Sequence, residues 1–209
     1  MQYRLITVEG NIGAGKTTLS SILAERLNAR LVLESFADNP FLPKFYADPS
    51  RYGFQLELFF MAERFKQLQG LQNVELFKQV TVSDYIFIKS LLFAKVTLDE
   101  DEYRLYQRLF YTINQQLAQP DILIYLHAPV SKLQQNIKNR NRSYEQSIPD
   151  DYLKSIEETY LTYIGQDKIR TLVVDASNAD FLRKESHVQT ILDALEKDYP
   201  IGRHFIELP

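Results

Sequence analysis

The 209-residue chain contains no cysteine. Disulfide frameworks, thiolate zinc sites and cysteine nucleophiles are therefore excluded. It also lacks any hydrophobic run near the roughly 18 residues that a membrane-spanning helix needs. Met1-Gln2-Tyr3-Arg4 leads straight into a strand-like segment, which leaves no room for a signal peptide. Neither sign of charge dominates: 24 Lys+Arg stand against 27 Asp+Glu, a net charge of −3. That balance argues against a nucleic-acid coat or a binder of anionic membranes. The three histidines, His127, His187 and His204, are scattered without ligand spacing, so a histidine metal site is not expected. Glycine is scarce, with seven residues against eight prolines. With 45% hydrophobic residues, the length suits a cytoplasmic protein with a sizeable core.

Short apolar runs alternate with segments of helical spacing. Strands are predicted at Leu5-Ile6-Thr7-Val8, Leu31-Val32-Leu33, Gln79-Val80-Thr81-Val82-Ser83, residues 121–126 and Thr171-Leu172-Val173-Val174. Helices are predicted over residues 17–30, 55–71, 86–96, 99–117, 130–139, 150–164 and 185–197. Residues 38–49 hold three of the eight prolines and are expected to be irregular or a broken helix. Strands separated by helices imply a single α/β domain, residues 1–209, with a five-stranded parallel sheet covered on both faces.

The strongest local signal is Gly10-Asn11-Ile12-Gly13-Ala14-Gly15-Lys16-Thr17, followed by Thr18. It fits glycine, four residues, glycine, lysine and Ser or Thr, placed after a strand and opening a helix. Three of the seven glycines fall within these six positions. They let the backbone curl so that successive N–H groups face phosphate oxygens. Lys16 would neutralise the β- and γ-phosphates of ATP, and the Thr17 hydroxyl would take a Mg²⁺ coordination site. No Asn-Lys-x-Asp segment marks a guanine-reading GTPase, and a small phosphotransferase is the economical reading.

Beyond this loop the sequence resembles the deoxyribonucleoside kinases, from Arg4 to about Leu195. Matching features are Glu34 after the second strand, Tyr46, Pro49, Arg51 and Tyr52, then Arg140, Arg142 and Glu145, and finally Asp180-Phe181. The resemblance implies a P-loop kinase with a short arginine-bearing lid at about residues 136–148 and a homodimer formed through long helices. It implies Glu34 as the base for the sugar 5′-hydroxyl, Tyr46 and Glu145 on the 3′-hydroxyl, and Asp180 with Phe181 against adenine. Arg140 and Arg142 would stabilise charge on the transferred phosphoryl group. Asp84 ends the third strand, and magnesium coordination, orientation of the hydroxyl and helix capping all remain open for it.

The chain departs from the family pattern in places. Asp84 is followed by Tyr85 where the family has an arginine, and Asn136 replaces the first lid arginine. The base-reading glutamine, seven residues before Arg64, is Glu57, and the acid six positions past Asp84 is Ser90. An ionised Glu57 suits guanine N1–H and N2–H₂; a protonated one suits adenine; mere pairing with Arg64 is the bland alternative. Phe36 or Phe87 could stack on the base. The expected substrate is a purine deoxynucleoside. A thymidylate-kinase-like monophosphate kinase and a non-catalytic ATP-binding module are the alternatives.

Overall fold

The computed structural model describes residues 2–35, 39–70 and 80–209. Among these, six strands form one sheet: β1 (Leu5–Gly10), β2 (Arg30–Val32), β3 (Thr81–Ser83), β4 (Ile122–His127), β5 (Arg170–Asp175) and β6 (Gly202–Ile206). Their order is β2-β3-β1-β4-β5-β6, and every pairing is parallel. Gln79 and Leu71, at ends of predicted elements, lie outside the described residues.

The sheet has six strands rather than the expected five. The addition, β6, is an edge strand whose residues alternate between half-buried and exposed, with Arg203 and His204 inside it. Such a strand carries little of the continuous apolar signal that marks strands buried on both faces.

Side-chain alternation along β4 divides the core. Ile122, Ile124 and Leu126 pack on one face with α1 (Lys16–Arg26), α6 (Val130–Arg140) and α8 (Glu185–Leu195). Leu123 and Tyr125 face the other side, against α4 (Lys89–Thr97) and α7 (Asp150–Ile164). A further cluster joins α3 (Pro49–Gln69), α4 and α5 (Glu100–Asn114) around Met61, Leu91, Tyr106 and Phe110. The aromatic residues Tyr106 and Phe110 are therefore core.

The proline-rich stretch is a broken helix. α2 (Leu42–Ala47) ends at Asp48, whose side chain accepts from Arg51 N and starts α3 at once. Pro49 sits in the first turn of α3, where its missing N–H costs nothing, so the helix begins six residues before the expected position 55. Asp99 caps α5 by accepting from Glu102 N.

Parallel order carries all carboxyl ends to one edge, and the residues just beyond β1, β2, β3 and β5 include Lys16, Thr17, Glu34, Asp84, Asp180 and Phe181. Glu57 and Arg64 come from α3, and Arg140, Arg142 and Glu145 from the end of α6 and just after it. Gln134 of α6 donates to Ile148 O and to Asp150 Oδ1, both at 2.8 Å, fastening the two roots of the segment between α6 and α7. Gly13 has φ +83°, and a Cβ there would stand 2.7 Å from Leu133 O. Gly13→Ala should lower Tm by about 5 °C, from about 2 kcal/mol of strain in a chain of this size. Calorimetry of the two proteins checks this.

Candidate active site

Residues 10–15 curl between β1 and α1, with φ of +152° at Gly10, +83° at Gly13 and +94° at Gly15. Lys16 turns back over the loop, its Nζ donating to Gly10 O at 3.0 Å and Asn11 O at 2.9 Å. Asn11 frames the loop from behind: its Nδ2 donates to Leu153 O at 2.7 Å and its Oδ1 accepts from Ile12 N. Burial pushes the Lys16 ammonium down to about 8; the nearby charge of Lys89 adds to this, and Glu9, Glu34 and Asp84 oppose it. In front lies a cavity of about 540 Å³, lined by Gly13 to Thr18, Arg140, Arg142, Asp180 and Phe181 among others. A curled backbone with a lysine at a helix N-terminus is an anion site, and the sequence-predicted nucleotide residues meet at it.

A second cavity, of about 110 Å³, shares Gly13, Lys16, Thr17, Arg140 and Arg142 with the first. Its roof is Glu34, just beyond β2. Glu34 N donates to Asp84 Oδ1 at 2.7 Å, and Thr17 Oγ1 donates to Asp84 Oδ2 at 2.7 Å. The next helix, α4 (Lys89–Thr97), has no side-chain cap, so Asp84 does not cap it. The Glu34 carboxylate is itself clamped: Arg64 reaches Oε1 at 2.6–2.8 Å and Lys89 reaches Oε2 at 2.6 Å. Burial raises its pKa, but Lys89 and Arg64 outweigh this and hold it far below the usual carboxylate range.

The floor is built on α3. Glu57 and Arg64 lie seven residues apart, two helical turns, and share one face. Arg64 ion-pairs with Glu34, and its Nη1 donates to Ser90 Oγ at 2.8 Å, so the serine keeps the contact but supplies no charge. Glu57 is 2% exposed and its Oε2 has no hydrogen-bond partner among the described residues. Burial pushes the Glu57 carboxyl up to about 7; Arg64 and a hydrogen bond with Thr97 pull the other way. The walls include Phe60, which lies under the Arg64 guanidinium at 4.9 Å, together with Phe93 and Tyr152. Phe87 is not among them. Because α4 starts only at Lys89, the preceding turn directs Phe87 to stack on Phe110 in the core, at 4.9 Å. Phe36 lies outside the described residues.

Tyr46 and Glu145 meet at the mouth. Tyr46 stacks on Tyr144 with ring centroids 6.1 Å apart, and Glu145, 5% exposed, pairs with Arg140 and, at 3.2 Å, with Arg142. Asn136, in place of an arginine, donates to Gly13 O at 2.8 Å. A divalent cation would find two oxygen donors, Thr17 Oγ1 and Asp84 Oδ2, already side by side at the phosphate loop. No group of three or more acidic or histidine residues forms a cage among the described residues. That donor set fits magnesium, which keeps water and substrate phosphates as most of its ligands.

A model described as "Deoxynucleoside kinase" matches residues 6–199, a span containing every group above. The chain belongs to this family. A deoxyguanosine kinase from Bacillus subtilis (strain 168) is 33% identical over 192 residues, covering 89% of this chain and 93% of that protein. A deoxyadenosine/deoxycytidine kinase from the same organism is 31% identical, covering 91% of each chain. The solved structure of a deoxyadenosine kinase from M. mycoides with dCMP and dCDP bound superimposes with a TM-score of 0.81. It is 26% identical, with 92% of this chain and 98% of that one covered.

In this deoxynucleoside kinase the site is also bordered by residues that no sequence motif singled out. Lys89 is one. Its signal was a lone charge in the apolar run Ile86-Phe87-Ile88-Lys89-Ser90-Leu91-Leu92-Phe93. Glu9, wholly buried at the end of β1, is another; it accepts from Gly10 N, Ile86 N and the Tyr160 hydroxyl. Burial raises the pKa of Glu9 against the charges of Lys89 and Lys16.

Lys16 yields a pH prediction. Bound triphosphate favours the ammonium, so affinity for ATP should fall as the free lysine deprotonates above about pH 8, by up to tenfold per pH unit. Calorimetric titration with ATP between about pH 7 and 9.5 measures this, and Lys16→Ala should remove the trend together with most of the binding.

Proposed function

We propose that this deoxynucleoside kinase transfers the γ-phosphoryl group of ATP to the 5′-hydroxyl of a purine deoxynucleoside. The observation that carries the purine assignment is Glu57: a buried carboxyl with an unbonded oxygen, two helical turns from Arg64 in the same cavity. Ionised, it accepts from guanine N1–H and N2–H₂, while Arg64 has N–H groups beyond those on Glu34 and Ser90 for O6 and N7. Protonated, it donates to adenine N1 and accepts from N6–H₂. One Bacillus subtilis relative is named for deoxyguanosine and the other for deoxyadenosine and deoxycytidine, so each purine is represented among the names.

The remaining residues divide the work. ATP lies in the larger cavity, phosphates on the loop and Lys16, adenine beside Asp180 and Phe181. Thr17 and Asp84 would hold Mg²⁺, which neutralises charge across the β- and γ-phosphates. Tyr46 and Glu145 take the sugar 3′-hydroxyl at the mouth, and this couples the arginine-bearing segment to the nucleoside through the Arg140–Glu145 and Arg142–Glu145 pairs. Glu34 accepts the 5′-hydroxyl proton as the O5′–Pγ bond forms. The Pγ–O bond to the β-phosphate breaks, and its electron pair leaves with ADP. Arg140 and Arg142, which line both cavities, stabilise the equatorial oxygens during transfer. A hydroxyl acceptor, rather than the phosphate of a monophosphate kinase's substrate, is supported by the matching family and relatives, which are named for deoxynucleosides.

Initial rates with Mg-ATP and each of the four deoxynucleosides test the reading: a purine should be preferred, and turnover of none would refute it. The ratio of deoxyguanosine to deoxyadenosine kcat/KM should rise with pH through about 7, because the carboxyl that reads guanine is ionised above that point. Glu57→Gln should flatten this dependence and cost deoxyguanosine about 30- to 100-fold, since an amide N–H₂ then opposes guanine N2–H₂. Glu34→Gln should lower kcat by about 10²- to 10⁴-fold with either purine.

A further inference from the structure

Tyr85 stands where the family resemblance expects an arginine, and it cannot serve as one. Its ring is 1% exposed, its hydroxyl donates to Gln67 Oε1 at 2.7 Å, and Gln67 Nε2 continues to Leu33 O. The charge comes from elsewhere. Lys89, the first residue of α4 and 4% exposed, brings Nζ to 2.6 Å from Glu34 Oε2 and lies 5.5 Å from the Phe93 ring. Arg64 takes the other oxygen, so the two cations grip the carboxylate from opposite ends.

The position of Lys89 is unfavourable for stability. A cation in the first turn of a helix opposes the helix dipole, and a buried ammonium loses its hydration. One carboxylate, Glu34, answers it directly while also pairing with Arg64. The three side chains thus carry one net positive charge; the cavity they face adds Lys16, Arg140 and Arg142 against Asp84, Glu57 and Glu145, so its lining holds five cations and four carboxyl groups. Incoming phosphoryl oxygens would meet that positive surplus.

We propose that Lys89 is the positioning residue that replaces the absent arginine after Asp84: it aims the Glu34 carboxylate and supplies positive charge at the acceptor end of the phosphoryl path. The inference rests on the kinase reading above and deepens it. The lysine carries three N–H groups, and one on Glu34 Oε2 leaves others for a phosphoryl oxygen.

The experiment compares wild type, Lys89→Met, Lys89→Gln and Lys89→Arg. Two readouts are taken: kcat and KM with Mg-ATP and a purine deoxynucleoside, and the position of the Glu34 carboxylate in a crystal structure of each variant. With one of its two cations gone, Glu34 Oε2 should leave its place in Lys89→Met and Lys89→Gln, and kcat should fall about 100-fold with KM little changed. Lys89→Arg should restore both to near wild type. An unmoved Glu34 carboxylate, or an unchanged kcat in either neutral variant, overturns the proposal. So does an arginine variant no better than the neutral ones. Absence of turnover in wild type would instead refute the kinase reading; the carboxylate position decides the Lys89 pairing independently of it.

Discussion

The Glu34 carboxylate, clamped between two buried cations, organises the whole carboxyl edge of the sheet. Its side chain draws Arg64 of α3 and Lys89 of α4 to one point. Its main chain hangs from Asp84, which in turn holds the first turn of α1 through Thr17. The first helix, two strand ends and two further helices are thereby referenced to one residue. Ion pairs of this kind contribute little net stability once desolvation is counted, and losing one partner is costly because it leaves a buried charge unanswered. Their value lies in placement. The charges are held before substrate arrives, so reorganisation during the reaction is small.

Glu9 plays the complementary part on the far side of the same turn. By accepting from Gly10 N, Ile86 N and Tyr160, it ties the phosphate loop, the residues after Asp84 and α7 into one rigid body. Lys16 and Lys89 both feel it, and it feels them. The cavity chemistry is therefore a coupled set of buried charges. Within it only Glu57 keeps an unbonded oxygen, and its carboxyl is pushed up to about 7, where one proton separates two hydrogen-bonding patterns.

How much of this was legible in the sequence depends on how local each signal is. The place and curl of the glycine-rich loop before α1 were legible, because the glycine spacing acts within eight residues. α7 has the expected bounds, since Asp150 and Asp151 open it and Gly165 follows it. β6 was missed because an edge strand needs only one buried face, and its charged residues resemble a tail. Pro49 read as a breaker when it was a starter. In the site, Glu34, Glu57 and Arg64 could be named from pattern, but not the partner each would choose. Arg64 turned to Glu34 because Ser90 offers it no charge and Glu57 lies deeper. Lys89 could not be assigned at all, since its meaning comes from a contact 55 residues away in sequence.

The two bonds made by Gln134 bear on kinetics. With Ile148 and Asp150 fastened to α6 by one side chain, and Asn136 fastened to Gly13, the stretch from about 137 to 147, the last turn of α6 and the segment after it, is pinned at both roots. Displacements confined to so short a stretch occur in nanoseconds to microseconds, whereas swinging domains need microseconds to milliseconds. Any rearrangement between those anchors is therefore a local one, with no domain to carry along.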